Sequence, residues 1–211
     1  MKKVILNKKF IPRYGYFWIF SNEISGKLSE FEMGELVKVY LNNGKFYCIG
    51  YINPRSLIAI RIISFTDTEI NKDFLKKKIK NAIDYRKQLG YFYSDACRIF
   101  FSESDYLPGL VIDKYKNYLV IQTLTAGIEK LFPIIKEAII ELLKPKAIIL
   151  KNDSNFRAYE GLEQYIKIDY GRCENLQIIS EQGVKYYVDL LEGQKTGFFL
   201  DQKINRIYLR E

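Results

Sequence analysis

Residues Leu191 to Arg206 read LEGQKTGFFLDQKINR, a dense run of groups able to hold a ligand. Gly193 and Gly197 let backbone come close to a bound molecule. Phe198 and Phe199 offer flat apolar faces, and Lys195, Asp201, Gln202 and Arg206 offer hydrogen bonds to amino, carboxylate or phosphate groups. The same residues also fit a glycine-rich turn leading into an amphipathic helix with packed phenylalanines, and the residues alone leave both readings open. A phosphate loop is excluded. That motif needs adjacent Gly-Lys with another glycine five positions earlier, whereas Gln194 separates Gly193 from Lys195 and position 188 is valine.

Acid–base and nucleophilic chemistry is thinly represented elsewhere. The chain has no histidine, which removes Ser-His-Asp and Cys-His nucleophiles and any His-ligated metal. A general base would have to be a carboxylate, a lysine or a tyrosine. Glu103 and Asp105 in SESD stand close together, but serines and acids at that spacing cap the amides of turns. Cys48, Cys97 and Cys173 are odd in number and far apart, with no paired metal spacing. They read as reduced thiols of a cytoplasmic protein, and no catalytic residue or metal ligand is assigned.

Charge points toward a polyanion. Lys and Arg number 33 against 25 Asp and Glu, a net charge of +8. Residues 1–20 hold Lys2, Lys3, Lys8, Lys9 and Arg13 and no acid. Phosphates of a nucleic acid suit such a face, and a solvated lysine-rich surface accounts for it as well. If RNA is the partner, Lys8, Lys9 and Arg13 are the residues expected to meet it, with Tyr14 and Tyr16 stacking on unpaired bases. Trp18 and Phe20 are expected to fill the interior.

The elements that must position these groups follow from periodicity. Residues 1–68 read as short strands: VIL at 4–6, FWIF at 17–20, ELVKVYL at 35–41, then FYCIGYI and SLIAIRIIS. Asn43-Gly44 is a strong hairpin signal. Several short strands with hardly any helix suggest a small barrel closed on itself. From Asn71 the period changes to that of a helix, with Phe74, Leu75, Ile79, Ala82, Ile83 and Leu89 on one face, Asn71 as cap and Gly90 as stop. Its other face carries Lys72, Lys76, Lys77, Lys80 and Lys87, which continues the basic theme. Three strands follow, then a helix over 128–143 in which Pro133 belongs to the first turn or to a separate preceding turn. Strands at AIILK, YIKIDY, LQIIS and VKYYVDLL complete residues 71–190, with one helical turn at 154–160. The fold class is α+β: an N-terminal β-barrel, then a mixed α+β domain with two main helices. No apolar run approaches the ~18 residues of a membrane span.

With these motifs in place, the sequence resembles the N-terminal half of the S-adenosylmethionine-dependent 23S rRNA cytosine-5 methyltransferases. LNKKFIPRYGYFWIFSNEI resembles the opening of their RNA-binding PUA domain. FSESDYLPGLVIDKYKNYLVIQ and NDSNFRAYEGL resemble segments of their central domain. GQKTGFFLDQKINR resembles the signature at the threshold of their methyltransferase domain. Tyr16-Phe17-Trp18 stands where the family usually has His-Pro-Trp, and Lys203 where it has arginine.

The resemblance implies a PUA-like domain at 1–68, a central domain at 71–190 and the truncated start of the methyltransferase domain at 191–211. The Rossmann fold, which holds the catalytic cysteine, would lie beyond this chain. It further implies S-adenosylmethionine as cofactor, with Lys195, Phe198, Phe199, Asp201, Gln202 and Arg206 at one edge of its site, and ribosomal RNA as partner. A free-standing RNA-binding module without chemistry is the alternative. Cut off from a larger site, Phe198 and Phe199 would fold back on the second domain or find cover in another copy of the chain.

Overall fold

The computed structural model describes residues 1–13 and 15–209. The first six strands are β1 (Lys2–Leu6), β2 (Trp18–Ile19), β3 (Ile24–Ser25), β4 (Glu35–Tyr40), β5 (Phe46–Ile52) and β6 (Ile60–Ser64). They form one sheet in the order β2-β6-β5-β4-β1-β3, antiparallel except for β1 beside β4. The sheet curls around Val4, Leu6, Ile19, Val37, Val39, Cys48, Ile52, Ile60 and Ile62. Gly44, at φ +81°, makes the β4–β5 turn that Asn43-Gly44 signals.

The second sheet is built from β7 (Ala96–Phe101), β8 (Leu110–Tyr115), β9 (Tyr118–Thr123), β10 (Ala147–Asn152) and β11 (Tyr165–Gly171), in the order β11-β10-β9-β8-β7. Only β9 and β10 run parallel, joined by helix α2 (Ala126–Leu143) as their crossover. Helix α1 (Lys72–Gln88) lies beside α2, and both bury their apolar stripes on one sheet face. The Asn71 side chain caps α1 by accepting from the Phe74 amide at 3.0 Å. After the single turn α3 (Phe156–Tyr159), strands β12 (Leu176–Glu181) and β13 (Val184–Asp189) form a separate hairpin. This hairpin covers part of the other face, around Tyr115, Val120, Ile149, Ile179 and Val188. Helix α4 (Lys203–Tyr208) follows a short turn. Among the described residues no helix is long and apolar enough to cross a membrane.

Four expectations are corrected. Pro133 sits inside α2 as its eighth residue. Pro133 faces solvent, and the buried stripe of Ile128, Leu131, Phe132, Ile135, Ala138 and Ile139 on both sides of it outweighs the ~3 kcal/mol a proline costs in a helix. The lysines of α1 are not all a free basic face: Lys76 pairs with Glu141 of α2 at 2.6 Å, Lys72 with Glu137 at 3.2 Å and with Glu141, and Lys80 with Asp84. Trp18 does not fill the barrel. It is half-buried, and its indole N–H donates to Glu103 at 2.7 Å, while the alternate residue Ile19 points into the core. Phe20 is likewise only half-buried, facing Arg13.

Barrel and central sheet share apolar contact. Ile49, Tyr51 and Ile63 point away from the barrel interior and join the core beneath α1 and α2. Gly127 lies so close to Tyr51 that a Cβ there would fall 1.9 Å from the ring.

Candidate functional site

The LEGQKTGFF segment is folded as a tight loop on the end of β13. Asp189 Oδ1 accepts from the amides of Leu191 and Glu192 at 2.9 and 2.8 Å. These backbone donors, the Glu192 amide foremost, hold its carboxyl below the usual value. Gly193 and Gly197 both press against the Asp189 carbonyl, where a Cβ would come within 2.4 and 2.7 Å, and Gly197 adopts φ +116°. Both glycines are therefore required by backbone packing. Thr196 is buried, donates to Asp113 at 2.6 Å and shares a hydrogen bond with the Tyr115 hydroxyl at 3.0 Å. Asp113 also takes both arms of Arg98 at 2.8 Å. Lys151, buried on β10, donates to the Gly193 carbonyl, and burial lowers its ammonium pKa.

This anchoring leaves one half of the sheet face open. A cleft of about 920 Å³ lies there, lined by Arg98, Phe101, Gln122, Asp153 and Phe156 from the central domain and by Lys195, Phe198, Asp201 and Lys203 from the C-terminal segment. The Arg98 guanidinium stands 5.0 Å over the Phe101 ring and keeps an exposed edge. The cleft thus combines cations, carboxylates and aromatic faces in a space of small-ligand size.

Of the six candidates in the loop, Lys195, Phe198 and Asp201 line the cleft. Lys195 pairs with Asp201 at 3.2 Å and stands 4.5 Å over Phe199, which is 40% exposed. Phe198 folds back on the hairpin, with Tyr186 at 5.3 Å and Arg206 stacked at 4.2 Å. Arg206 does not line the cleft; it engages Glu181, at the cleft's margin, through two hydrogen bonds of 2.7 and 3.0 Å. Gln202 is exposed off the cleft, accepting from Asn205 at 2.6 Å.

The basic N-terminal set is dispersed. Lys8 and Lys9 are exposed in the turn after β1. Arg13 pairs with Glu23 at 2.5 Å and stacks on Tyr16 at 4.6 Å, and Tyr16 is 39% exposed. Tyr14 lies outside the described residues.

Two polar hubs went unnoticed as such in the sequence. Arg157, only 1% exposed, donates to Glu163 carbonyl at 2.7 Å, to Glu129 at 2.9 Å and to the Thr123 carbonyl. Burial works to raise the Glu129 carboxyl, but hydrogen bonds from Arg157, Thr123 and Tyr165 outweigh it and hold the group below its usual value. Glu160, also buried, accepts from Asn53 at 2.9 Å and Arg61 at 2.8 Å, tying the barrel to the central domain. The signal was present: both belong to the RAYEG run, where charged residues recur at helical spacing beside a glycine. SESD is a turn built as expected, with Asp105 accepting the Phe101 amide at 2.6 Å and Ser102 the Gly109 amide at 2.7 Å. Asp105 also pairs with Arg86. The Cys48 and Cys97 thiols are pushed up by burial, Cys97 to about 11, and Cys173 is raised as well, so none carries an activated thiolate.

Residues 4–65 match the family of PUA-like domains. Over 198 residues, 90% of this chain, the sequence is 37% identical to ribosomal RNA large subunit methyltransferase I of Aliivibrio fischeri strain ES114. It is 36% identical over 197 residues to the protein of that name from Vibrio cholerae O1 El Tor. Each alignment takes in 48% of the relative, so the chain spans about half the length of the curated relatives it matches. Among solved structures, one described as a SAM-dependent methyltransferase from Streptococcus mutans superimposes with a TM-score of 0.78 at 20% identity, covering 99% of this chain and 54% of that one. A methyltransferase complexed with SAH gives 0.79 at 20% identity over 53% of its length. The chain carries a PUA-like domain and is similar, over nine-tenths of its length, to about half of a ribosomal RNA large subunit methyltransferase I.

Proposed function

We propose that this chain supplies the RNA-recognition and central parts of an S-adenosylmethionine-dependent methyltransferase acting in the cytoplasm on large-subunit rRNA, with cytosine C5 as the methylated atom. The observation that carries the reading is the 37% identity over nine-tenths of this chain. In this reading residues 1–68 face RNA, 71–190 join barrel to catalytic machinery, and 191–211 begin the cofactor side.

The cleft fits one edge of S-adenosylmethionine. Lys195 and Asp201 are exposed, and opening their mutual ion pair would let them turn toward carboxylate and amino groups, while Phe198 offers an apolar wall. Phe199 is adjacent. Gln202 and Arg206 would have to leave their present partners, so they are the weakest members of the set. The cofactor supplies the methyl group. The residues of this chain hold and orient, since no activated thiolate or poised base stands among those described at the cleft.

Isothermal titration of the 211-residue chain tests the reading. One wall of a site should bind S-adenosylmethionine only weakly and transfer no methyl group, because the adenosine is normally held across a complete nucleotide fold. Weak binding that disappears in Asp201→Ala supports the assignment. Binding unaffected by Lys195→Ala, Phe198→Ala and Asp201→Ala would place the cofactor elsewhere.

A further inference from the structure

Five aromatic rings run edge to face across the junction of barrel and central domain: Phe10–Tyr47 at 5.3 Å, Tyr47–Phe65 at 6.1 Å, Phe65–Phe17 at 5.8 Å and Phe17–Tyr106 at 5.5 Å. Phe17 is half-buried and acts as a keystone. The ring on each side of it is exposed: Phe65 at 44%, from the barrel, and Tyr106 at 55%, from the central domain. Tyr106 is held at φ +67° by the turn that Ser102 and Asp105 build, a backbone state costly for a tyrosine.

Cations border the array at both ends. Lys78 stands 5.1 Å over Tyr106 and 5.0 Å over Phe74 and makes no ion pair among the described residues. Burial lowers its pKa to about 8, so it is charged at neutral pH yet unneutralised. Arg13 stands 5.9 Å from Phe10, with exposed Lys8 and Lys9 in the preceding turn. The carboxylates nearby are already engaged: Glu23 by Arg13, Asp67 by Lys38, Glu103 by Arg61 and Trp18, Asp105 by Arg86. Each of these carboxylates is offset by a cation, which leaves the exposed rings together with Lys8, Lys9 and Lys78, cations that make no ion pair among the described residues.

We infer that this junction is a platform for unpaired RNA, on which Phe65 and Tyr106 stack bases while Lys78 and Lys8–Lys9 meet the phosphates on either side. Aromatic rings separated along a cationic track are how sequence-tolerant single-strand sites are made, because every base has a stacking face. A duplex keeps its bases stacked inside and cannot use the rings. The inference rests on the RNA-recognition reading above and adds to it the strandedness of the RNA and the part played by the central domain.

Fluorescence anisotropy of the 211-residue chain with a labelled eight-nucleotide RNA and with a 16-base-pair duplex decides it. The parent should bind the single strand. Phe65→Ala with Tyr106→Asn, the latter chosen because asparagine tolerates positive φ, should weaken single-strand binding roughly 10- to 100-fold and leave duplex binding within about twofold. Lys78→Met should flatten the salt dependence by roughly one unit of slope. Equal single-strand affinity in parent and double variant overturns the platform while leaving Lys8 and Lys9 as RNA contacts. A parent that binds neither RNA overturns the RNA reading itself. Crosslinking of the parent to an RNA carrying photoreactive uridines gives an answer independent of variant folding: adducts on Phe65 or Tyr106 support the platform, and adducts confined elsewhere refute it.

Discussion

The Thr196 hydroxyl donates to the buried Asp113 carboxylate at 2.6 Å, and so pins the glycine loop to the face of the central sheet. Thr196→Val keeps the shape and removes the donor. Because the carboxylate retains Arg98, the expected loss is about 1–3 kcal/mol, whereas Thr196→Ser stays near the parent. Urea unfolding of the three proteins checks this. A valine variant as stable as the parent would mean the loop is held by its glycines alone.

Glycine inside a helix usually costs about 1 kcal/mol against alanine, so Gly127→Ala in α2 would ordinarily stabilise. Here the new methyl would lie 1.9 Å from the Tyr51 ring. Overpacking of that kind costs about 1–3 kcal/mol or more, and the sign should invert. Thermal denaturation should give a lower midpoint for the variant, and a higher midpoint would refute the close approach.

Lys78 supplies a pH signature. Burial lowers its folded-state pKa to about 8, below the ~10.4 of an unfolded lysine. Between these values the unfolded chain holds the extra proton, so this group makes stability rise with pH across that window. In urea titrations from pH 7.5 to 9.5, the parent should gain on Lys78→Met. A constant difference would show that the ammonium is not desolvated.

Salt dependence separates the N-terminal cations. Lys8 and Lys9 are exposed, and losing both should reduce the slope of log K for RNA against log salt by roughly two. Arg13 is already paired with Glu23 and stacked on Tyr16. Its change to alanine should disturb the turn more than the slope. Equal slopes in the parent and the double lysine variant would leave the N-terminus a solvated face.

Periodicity and turn chemistry placed nearly every element, because strands alternate and helices repeat whether or not their neighbours are known. Asn71, Gly44 and Gly90 each act through local backbone, and each stands where its residue type indicated. What sequence could not reveal was partnership across distance. Trp18 reads as core by type, yet its indole finds Glu103 some eighty-five positions away. Lys72 and Lys76 read as a basic face until α2 is folded beside them. The cofactor set was legible as a run of suitable groups. That Arg206 turns to Glu181 while Lys195 and Asp201 face the cleft depends on how β12 and β13 fold back.

Ile49, Tyr51 and Ile63 leave the barrel pointing outward into the helices, and this bears on how such a barrel can be borrowed. A graft cut at the end of β6 would carry three bare apolar side chains into water and invite self-association. An exchange of barrels between relatives has to carry the first turn of α2 along with it. The partner surface is as much a part of the module as its own strands.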